Sequence, residues 1–150
     1  MQLTRAADYA VRVMIHLAGL PLGTRASRSQ LAEAAECPEQ FLSKVLQSLT
    51  RTGLITSHRG NTGGFELPAA STHASILDIV EAVEGPVHLN VCTACDNACS
   101  RQSWCPAHMV WERAQEAMVN VLRNTNITEL AQQVPLTVAL KPPIEFPKWN

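Results

Sequence analysis

The chain has few charged residues, few aromatic residues and no long hydrophobic run. Charged residues make up 17% of its 150 residues and aromatic residues 5%, whereas 46% are hydrophobic. That hydrophobic fraction is enough to build a core, which excludes global disorder. No apolar stretch reaches the roughly 20 residues that a membrane span needs. The opening residues 1–5 lack the layout of a signal peptide, so we expect a cytoplasmic protein without membrane contact.

A strong net charge is also missing. The formal charge is −1 at pH 7, which by itself gives no support to nucleic-acid binding. The charges are unevenly distributed, however. Residues 1–70 contain seven Lys or Arg and five Asp or Glu, whereas residues 71–150 contain five and eight. Because affinity for phosphate depends on local clusters of basic residues, we expect any DNA-binding surface in the front half.

The front half carries the signals of a helix-turn-helix unit. Apolar spacing predicts a first helix over residues 4–19. Ser27 and Gln30 form a capping-box pattern that opens a second helix, and Pro38 suits the first turn of a third, which ends at Gly53. The predicted inward residues of the second helix are Leu31, Ala34 and Ala35. Two short helices joined by a tight turn are typical of DNA-binding proteins.

The third helix has two different faces. Its apolar stripe consists of Leu42, Val45, Leu46 and Leu49. The opposite, polar stripe consists of Gln40, Ser43, Lys44, Gln47 and Arg51. Side chains of these types reach base edges and phosphates in a major groove, although an ordinary solvated face would look the same.

A β-hairpin follows the third helix directly. Residues 54–58 and 65–67 are β-prone, and a glycine-rich turn joins them. This placement predicts a winged helix, with Arg59 and Gly60 at the start of the wing tip. An arginine there can enter a narrow minor groove or contact a phosphate. We also include Arg28, at the start of the second helix, among the predicted DNA-binding residues.

Four of the five cysteines lie within fourteen residues. They are Cys92, Cys95, Cys99 and Cys105, in a segment over residues 87–105 that shows no helical or strand period. In a chain without a secretion signal, such a cluster indicates metal binding or redox chemistry before structural disulfides. Soft thiolates suit iron–sulphur clusters or zinc, and a thiol–disulfide switch is a further alternative. The fifth cysteine, Cys37, is expected to be a small buried residue.

Two helices and a tail complete the chain. Pro106 opens a long helix to about residue 123, and its apolar stripe consists of Val110, Ala114, Ala117, Met118, Val121 and Leu122. This stripe suits a dimer contact, although it could instead pack on its own domain. Asn126 is predicted to cap a last short helix to about residue 134, and four prolines predict an extended tail over residues 135–150.

We therefore expect a mainly α-helical protein with a small β-hairpin wing and a long dimerisation helix. The winged-helix DNA-binding domain would occupy residues 1–85 and the cysteine-rich, metal-binding loop residues 86–106. The dimerisation helix and the short packing helix would occupy residues 107–134, followed by the tail at residues 135–150.

These pieces together resemble a known family over nearly the whole chain. It is the family of winged-helix repressors that includes the iron–sulphur assembly regulator IscR, the nitric-oxide sensor NsrR and the iron regulator RirA. The matching motifs are Leu3-Thr4-x-x-x-Asp8-Tyr9-Ala10-Val11-Arg12, Gly53-Leu54-Ile55, the wing Arg59-Gly60-x-x-Gly63-Gly64 and the loop with Cys92, Cys99 and Cys105. The wing together with the three-cysteine loop is the specific part.

The resemblance implies a homodimer that binds a roughly palindromic double-stranded DNA operator. It also implies an iron–sulphur cluster, [2Fe-2S] or [4Fe-4S], held by Cys92, Cys99, Cys105 and a fourth ligand that is not a cysteine. By family pattern that ligand is His108 for a small cluster or Asp8 of the partner subunit for a four-iron cluster. Cys95 is an extra cysteine that could substitute for a ligand.

The predicted function is therefore a transcriptional regulator, expected to repress, that senses iron, redox state or nitric oxide through its cluster. Structural zinc or a thiol switch in place of the cluster is the nearest alternative. An iron–sulphur electron-transfer protein is an alternative of another class. The chain shows neither a nucleotide-binding glycine motif after a strand nor a Ser/His/Asp arrangement, so we expect no enzyme and no small-molecule substrate.

Overall fold

The computed structural model describes residues 3–60, 62–95 and 98–134. Its helices are α1 (Arg5–Ala18), α2 (Arg28–Ala34), α3 (Glu39–Arg51), α4 (Ile76–Glu84), α5 (His108–Arg123) and α6 (Ile127–Gln133). Its strands are β1 (Thr56–His58) and β2 (Gly64–Glu66), and short 3₁₀ turns lie at Ala69–Ser71 and Val91–Thr93. The predicted fold class, mainly helical with a small hairpin, is confirmed. No helix among the described residues is long and apolar enough to cross a bilayer.

Side-chain caps begin most of the helices. The Ser27 hydroxyl accepts from the Gln30 amide, and the Gln30 side chain accepts from the Ser27 amide, so the predicted capping box of α2 is confirmed. Asn126 caps α6 as expected. Gly53, just after α3, has φ +77°, a left-handed conformation that ends a helix at little cost only with glycine. The side-chain caps fix where these helices start, and Gly53 fixes where the chain turns from α3 toward β1.

The main core lies between α1, α2, α3 and α4. The apolar stripe of α3 is buried as predicted, against residues of α1 such as Val13, Met14 and Leu17. The prediction for α2 was partly wrong, because Ala34 is exposed while Ala32 is buried. Leu31, Ala32 and Ala35 define the buried side of α2, and at about 100° per residue Ala34 lies outside it.

The turn between α2 and α3 is fastened to α1. Glu36 has φ +52°, a left-handed conformation that is uncommon for residues other than glycine. The guanidinium of Arg12 lies 3.6 Å from the Glu36 carboxylate and donates to the Ala35 carbonyl at 3.4 Å. Cys37 is buried beside this turn, as expected, and burial raises the pKa of its thiol. The α2–α3 geometry is thus held by a side chain from outside the helix-turn-helix unit.

The hairpin is joined to the segment before α2. Ala26 pairs with Phe65 of β2 through two backbone hydrogen bonds, of 2.9 and 2.8 Å. A side chain at Gly64 would come within 2.7 Å of the Ala26 carbonyl oxygen, so the close approach requires a residue without Cβ. Glu66 lies 3.0 Å from the His58 imidazole and 3.5 Å from the Arg25 guanidinium. The wing therefore has a fixed position relative to α2.

The long helix α5 packs along one side on α4. Met118, Val119 and Leu122 are partly buried against a small cluster that includes Leu77 and Val80. None of the residues of α5 is buried outright. Its exposed apolar side chains include Met109, Val110, Trp111 and Val121. The predicted tail at residues 135–150 lies outside the described residues.

Candidate functional site

One candidate site is a groove between α2, α3 and the hairpin, with a volume of about 410 Å³. It is lined by Arg28, Ser43, Leu46, Gln47, Thr50, Arg51, Ser57 and Phe65. Four predicted DNA-binding residues, Arg28, Ser43, Gln47 and Arg51, thus meet in one place. The groove combines two guanidinium groups with hydroxyl and amide groups, which are the types that contact phosphates and base edges.

The other predicted residues of α3 lie outside this groove. Gln40 and Lys44 are exposed, on the part of α3 that faces away from its buried stripe. Arg28 Nε lies 3.5 Å from the Glu39 carboxylate, so the first turn of α3 is linked to the start of α2. The pair is half exposed, and a phosphate could replace the carboxylate at little cost.

Arg59 and Gly60 lie where β1 ends. Both are exposed, and Gly60 has φ +100° in the turn of the hairpin. The preceding residue, His58, lies 3.0 Å from the Glu66 carboxylate, across the hairpin. The wing therefore presents Arg59 outward from a hairpin that is anchored at its base by Ala26 and Arg25.

Two polar residues of the groove, Thr50 and Ser57, were missed in the sequence. Thr50 lies on α3 between the apolar and polar stripes, and its hydroxyl donates to the Leu46 carbonyl at 2.7 Å. Ser57 lies on β1, where alternation along three residues is too short to assign a face. The spacing Ser43–Gln47–Thr50 along α3 was the available signal, since residues three and four apart share a helix side.

The second candidate site is a cavity of about 440 Å³ between the cysteine-rich loop and the start of α5. Three predicted ligands, Cys92, Cys99 and Cys105, line it together with His108. Cys95 is exposed and is not among the lining residues. Among the described residues, no three or more His, Cys, Asp or Glu side chains are arranged closely enough to hold a metal ion. The cavity nevertheless gathers three soft sulphur donors and one imidazole, the chemistry that iron–sulphur clusters and zinc require.

His108 has one nitrogen bound and one without a partner. Its Nε2 lies 3.2 Å from the Glu112 carboxylate, and its side chain is only 13% exposed. Its Nδ1 is buried and has no hydrogen-bond partner. When Nε2 donates to the carboxylate, Nδ1 keeps its lone pair, which is the state of a metal-ligating imidazole. An orphaned buried nitrogen of this kind fits a group held in the cavity.

Asp8 is placed elsewhere within the protomer. It lies in the first turn of α1, and its carboxylate is 2.8 Å from the Arg12 guanidinium. The structure therefore brings His108 into the cysteine cavity and leaves Asp8 outside that cavity's lining.

Gln115 is the residue of this site that sequence reasoning missed. Its side-chain oxygen accepts from the Leu89 amide at 2.9 Å, and its nitrogen donates to the Thr93 carbonyl at 3.4 Å. The segment over residues 91–93 is a 3₁₀ turn capped by Asn90, so the loop is more ordered here than its lack of period predicted. No signal in the sequence pairs a helix glutamine with a loop 26 residues earlier.

Comparisons with known proteins identify the family and the fold of this chain. The Rrf2 family, described as an iron-dependent transcriptional regulator, matches residues 3–133. An HTH-type transcriptional regulator of Mycobacterium tuberculosis is 40% identical over 87 residues, which cover 58% of this chain and 54% of that protein. The chain thus spans about half the length of this relative.

Two solved structures have the same fold. CymR of Staphylococcus aureus is 28% identical, with a TM-score of 0.69, and the match covers 88% of this chain and 99% of CymR. IscR of T. potens is 20% identical, with a TM-score of 0.67 and coverage of 91% and 90%, and it shows the fold alone. The members of this family are regulators rather than enzymes. Because the family match covers residues 3–133 of 150, this chain belongs to the Rrf2 family of DNA-binding transcriptional regulators.

Proposed function

We propose that this regulator binds a palindromic operator as a homodimer, represses from it, and holds an iron–sulphur cluster in its cysteine-rich loop. The observation that carries the DNA-binding part is the groove in which Arg28, Ser43, Gln47 and Arg51 meet. The observation that carries the cluster is the cavity lined by three cysteines and His108.

The DNA contact is proposed to involve α3 in a major groove. The exposed side of α3 offers Gln40, Lys44, Gln47 and Arg51, while its apolar side is committed to the core. Amide side chains match the hydrogen-bonding edge of adenine, and basic side chains match guanine or phosphate. Arg28, at the start of α2, is positioned to contact the phosphate backbone beside the groove.

The wing is proposed to contact the adjacent minor groove through Arg59. Its base is held by the Ala26–Phe65 pairing and by the contacts of Glu66, so the position of Arg59 is fixed relative to α3. Arg59→Ala should weaken operator affinity in a gel-shift assay at defined salt. Unchanged affinity would remove Arg59 from the interface.

The homodimer is proposed to form through α5. No residue of α5 is buried, and Val110 and Val121 are 60% and 67% exposed on a helix whose other side packs on α4. A long helix with so much exposed apolar surface requires a partner to cover it. A second copy would supply the two-fold symmetry of a palindromic operator.

The cluster is proposed to be held by Cys92, Cys99 and Cys105, with His108 as the fourth ligand. Because Nε2 of His108 faces the Glu112 carboxylate, its buried Nδ1 can offer a lone pair to a metal. Within one protomer His108 lines the cavity and Asp8 does not, so we propose His108 as the fourth ligand. An iron–sulphur cluster supplies redox and nitric-oxide reactivity, which would make the regulator sensitive to iron, redox state or nitric oxide.

The residues of this chain connect the cavity to the DNA-binding side. Gln115 ties the loop to α5, α5 packs on α4, and Ala7 of α1 packs in the same small cluster as Leu77 of α4. Arg12, also on α1, holds the turn that precedes α3. A change in loop position would therefore reach α3 through contiguous packed elements.

The decisive experiment is anaerobic purification with iron, sulphide and zinc quantified per chain. Iron and sulphide near the amounts of one cluster per chain, with visible absorption, are expected. Stoichiometric zinc without iron would show that the loop holds a structural zinc ion instead of a cluster. Neither metal, with cysteines that pair on oxidation, would indicate a thiol switch. Comparing Asp8→Ala with His108→Ala for retained iron tests the fourth ligand, and only His108→Ala should lose it.

A further inference from the structure

Phe41 is an exposed aromatic residue on the first turn of α3. Its side chain is 65% exposed, although phenylalanine is usually buried. The buried residues of α3 are Leu42, Val45, Leu46 and Leu49, and Phe41 is absent from the residues packed against the core. The core therefore gives no reason for an aromatic side chain at this position.

Its place on the helix gives the reason. The N-terminal residues of a recognition helix are those that meet base edges. Phe41 is the third residue of α3, next to Gln40 and three residues before Lys44, so it shares the Lys44 side of the helix. Ser43 and Thr50, which line the groove toward the wing, lie on the other flank.

We infer that Phe41 reads the C5-methyl group of a thymine in each half-site of the operator. The methyl group is the apolar feature of the major groove, and an aromatic ring is a suitable contact for it. The neighbouring Gln40 is suited to the adenine of an A·T pair, and Lys44 is suited to a phosphate. Phe41, Gln40 and Lys44 could therefore contact adjacent groups of one A·T-containing segment of the duplex. The inference rests on the proposed DNA contact of α3 and adds a specificity-determining residue to it.

The test uses the purified full chain with its bound cofactor and duplexes selected by it from a random library. Each thymine of the selected site is replaced in turn by deoxyuridine, which removes only the methyl group. For the wild type, at least one thymine per half-site should show an affinity loss of about fourfold on replacement, the value of one buried methyl group.

The variant Phe41→Ala should bind the thymine site about as weakly as the wild type binds the deoxyuridine site. Its affinity should not change when thymine is replaced by deoxyuridine. Phe41→Leu should keep part of the discrimination. The matched control is Leu22→Ala, because Leu22 is 66% exposed in the loop before α2. It should keep both the affinity and the methyl dependence of the wild type.

Methyl dependence that persists in Phe41→Ala, or its absence at every thymine in the wild type, would overturn the inference while leaving DNA binding intact. If the library yields no enriched duplex at all, the proposed DNA-binding function itself fails, and the inference falls with it. The two failures are therefore distinguishable in one set of measurements.

Discussion

The side chain of Gln115 on α5 accepts a hydrogen bond from the backbone amide of Leu89 at 2.9 Å. Through its amide nitrogen it also reaches the carbonyl of Thr93. One helix residue thus holds the loop on both sides of the segment Asn90–Cys92. The position of the first cysteine relative to α5 depends on this contact.

Replacing Gln115 by alanine should loosen the loop. Each lost hydrogen bond is worth about 1 kcal/mol, so exchange of the Leu89 amide with solvent deuterium should accelerate several-fold. If the proposed cluster is present, iron should also leave the purified protein faster in the presence of a chelator. Gln132→Ala, at an exposed position of α6, is the matched control. Equal amide exchange at Leu89 in both variants would show that Gln115 does not hold the loop.

Glu36 should respond differently to glycine and alanine. Its φ of +52° costs an alanine about 1 kcal/mol but costs glycine little. Both variants lose the contact with Arg12 equally, so Glu36→Gly should be more stable than Glu36→Ala by about 1 kcal/mol in urea unfolding. At Ala34, which is exposed at the end of α2, glycine should instead destabilise. If Glu36→Ala is as stable as Glu36→Gly, the left-handed backbone at position 36 is not strained.

Gly60 and Gly64 of the wing should differ in the same assay. An alanine at Gly64 would place its Cβ 2.7 Å from the Ala26 carbonyl oxygen, whereas at Gly60 nothing lies within 4 Å. Gly60→Ala should cost about 1 kcal/mol from its positive φ alone. Gly64→Ala should cost more than about 2 kcal/mol and weaken DNA binding, because the hairpin must move away from Ala26. Equal costs would mean that the Ala26–Phe65 pairing does not fix the wing.

His16 should make stability depend on pH. Burial on α1 lowers the pKa of its imidazole below the usual 6.5, so the unfolded chain binds the proton more readily. The free energy of unfolding is therefore retained above pH 6.5 and falls as the pH drops through the lowered pKa. His16→Gln should flatten this fall between pH 7.5 and 5.5 in urea titrations. A fall of the same size in His16→Gln would contradict the assignment.

Much of the fold could be predicted because its signals are local. The capping box of Ser27 and Gln30, the glycine after α3 and the period of Leu42 to Leu49 each act within a few residues. The contacts that hold the site together are not local. Arg12 meets Glu36, Ala26 pairs with Phe65 and Gln115 meets Leu89, and no periodicity relates these positions.

The candidate site was predictable in composition but not in arrangement. Cysteine density identified the loop, and the family spacing favoured Cys92 over Cys95, but the sequence left the fourth ligand open between Asp8 and His108. In the structure Cys92 lines the cavity whereas Cys95 is exposed, and the Nδ1 of His108 is buried without a hydrogen-bond partner, which supports the proposed ligand set. The amphipathic pattern of α5 likewise could not say how much of its apolar stripe packs within the protomer.

The central claim is that the group held by Cys92, Cys99 and Cys105 controls DNA binding. One anaerobic preparation should be divided, the iron removed from one half, and the affinity of both halves for the same selected duplex measured at fixed salt. Cys95→Ala, which keeps the three cavity cysteines, should behave as the wild type. The proposal predicts that the two halves differ at least about tenfold in affinity, which corresponds to about 1.4 kcal/mol. Equal affinity with and without iron would contradict it.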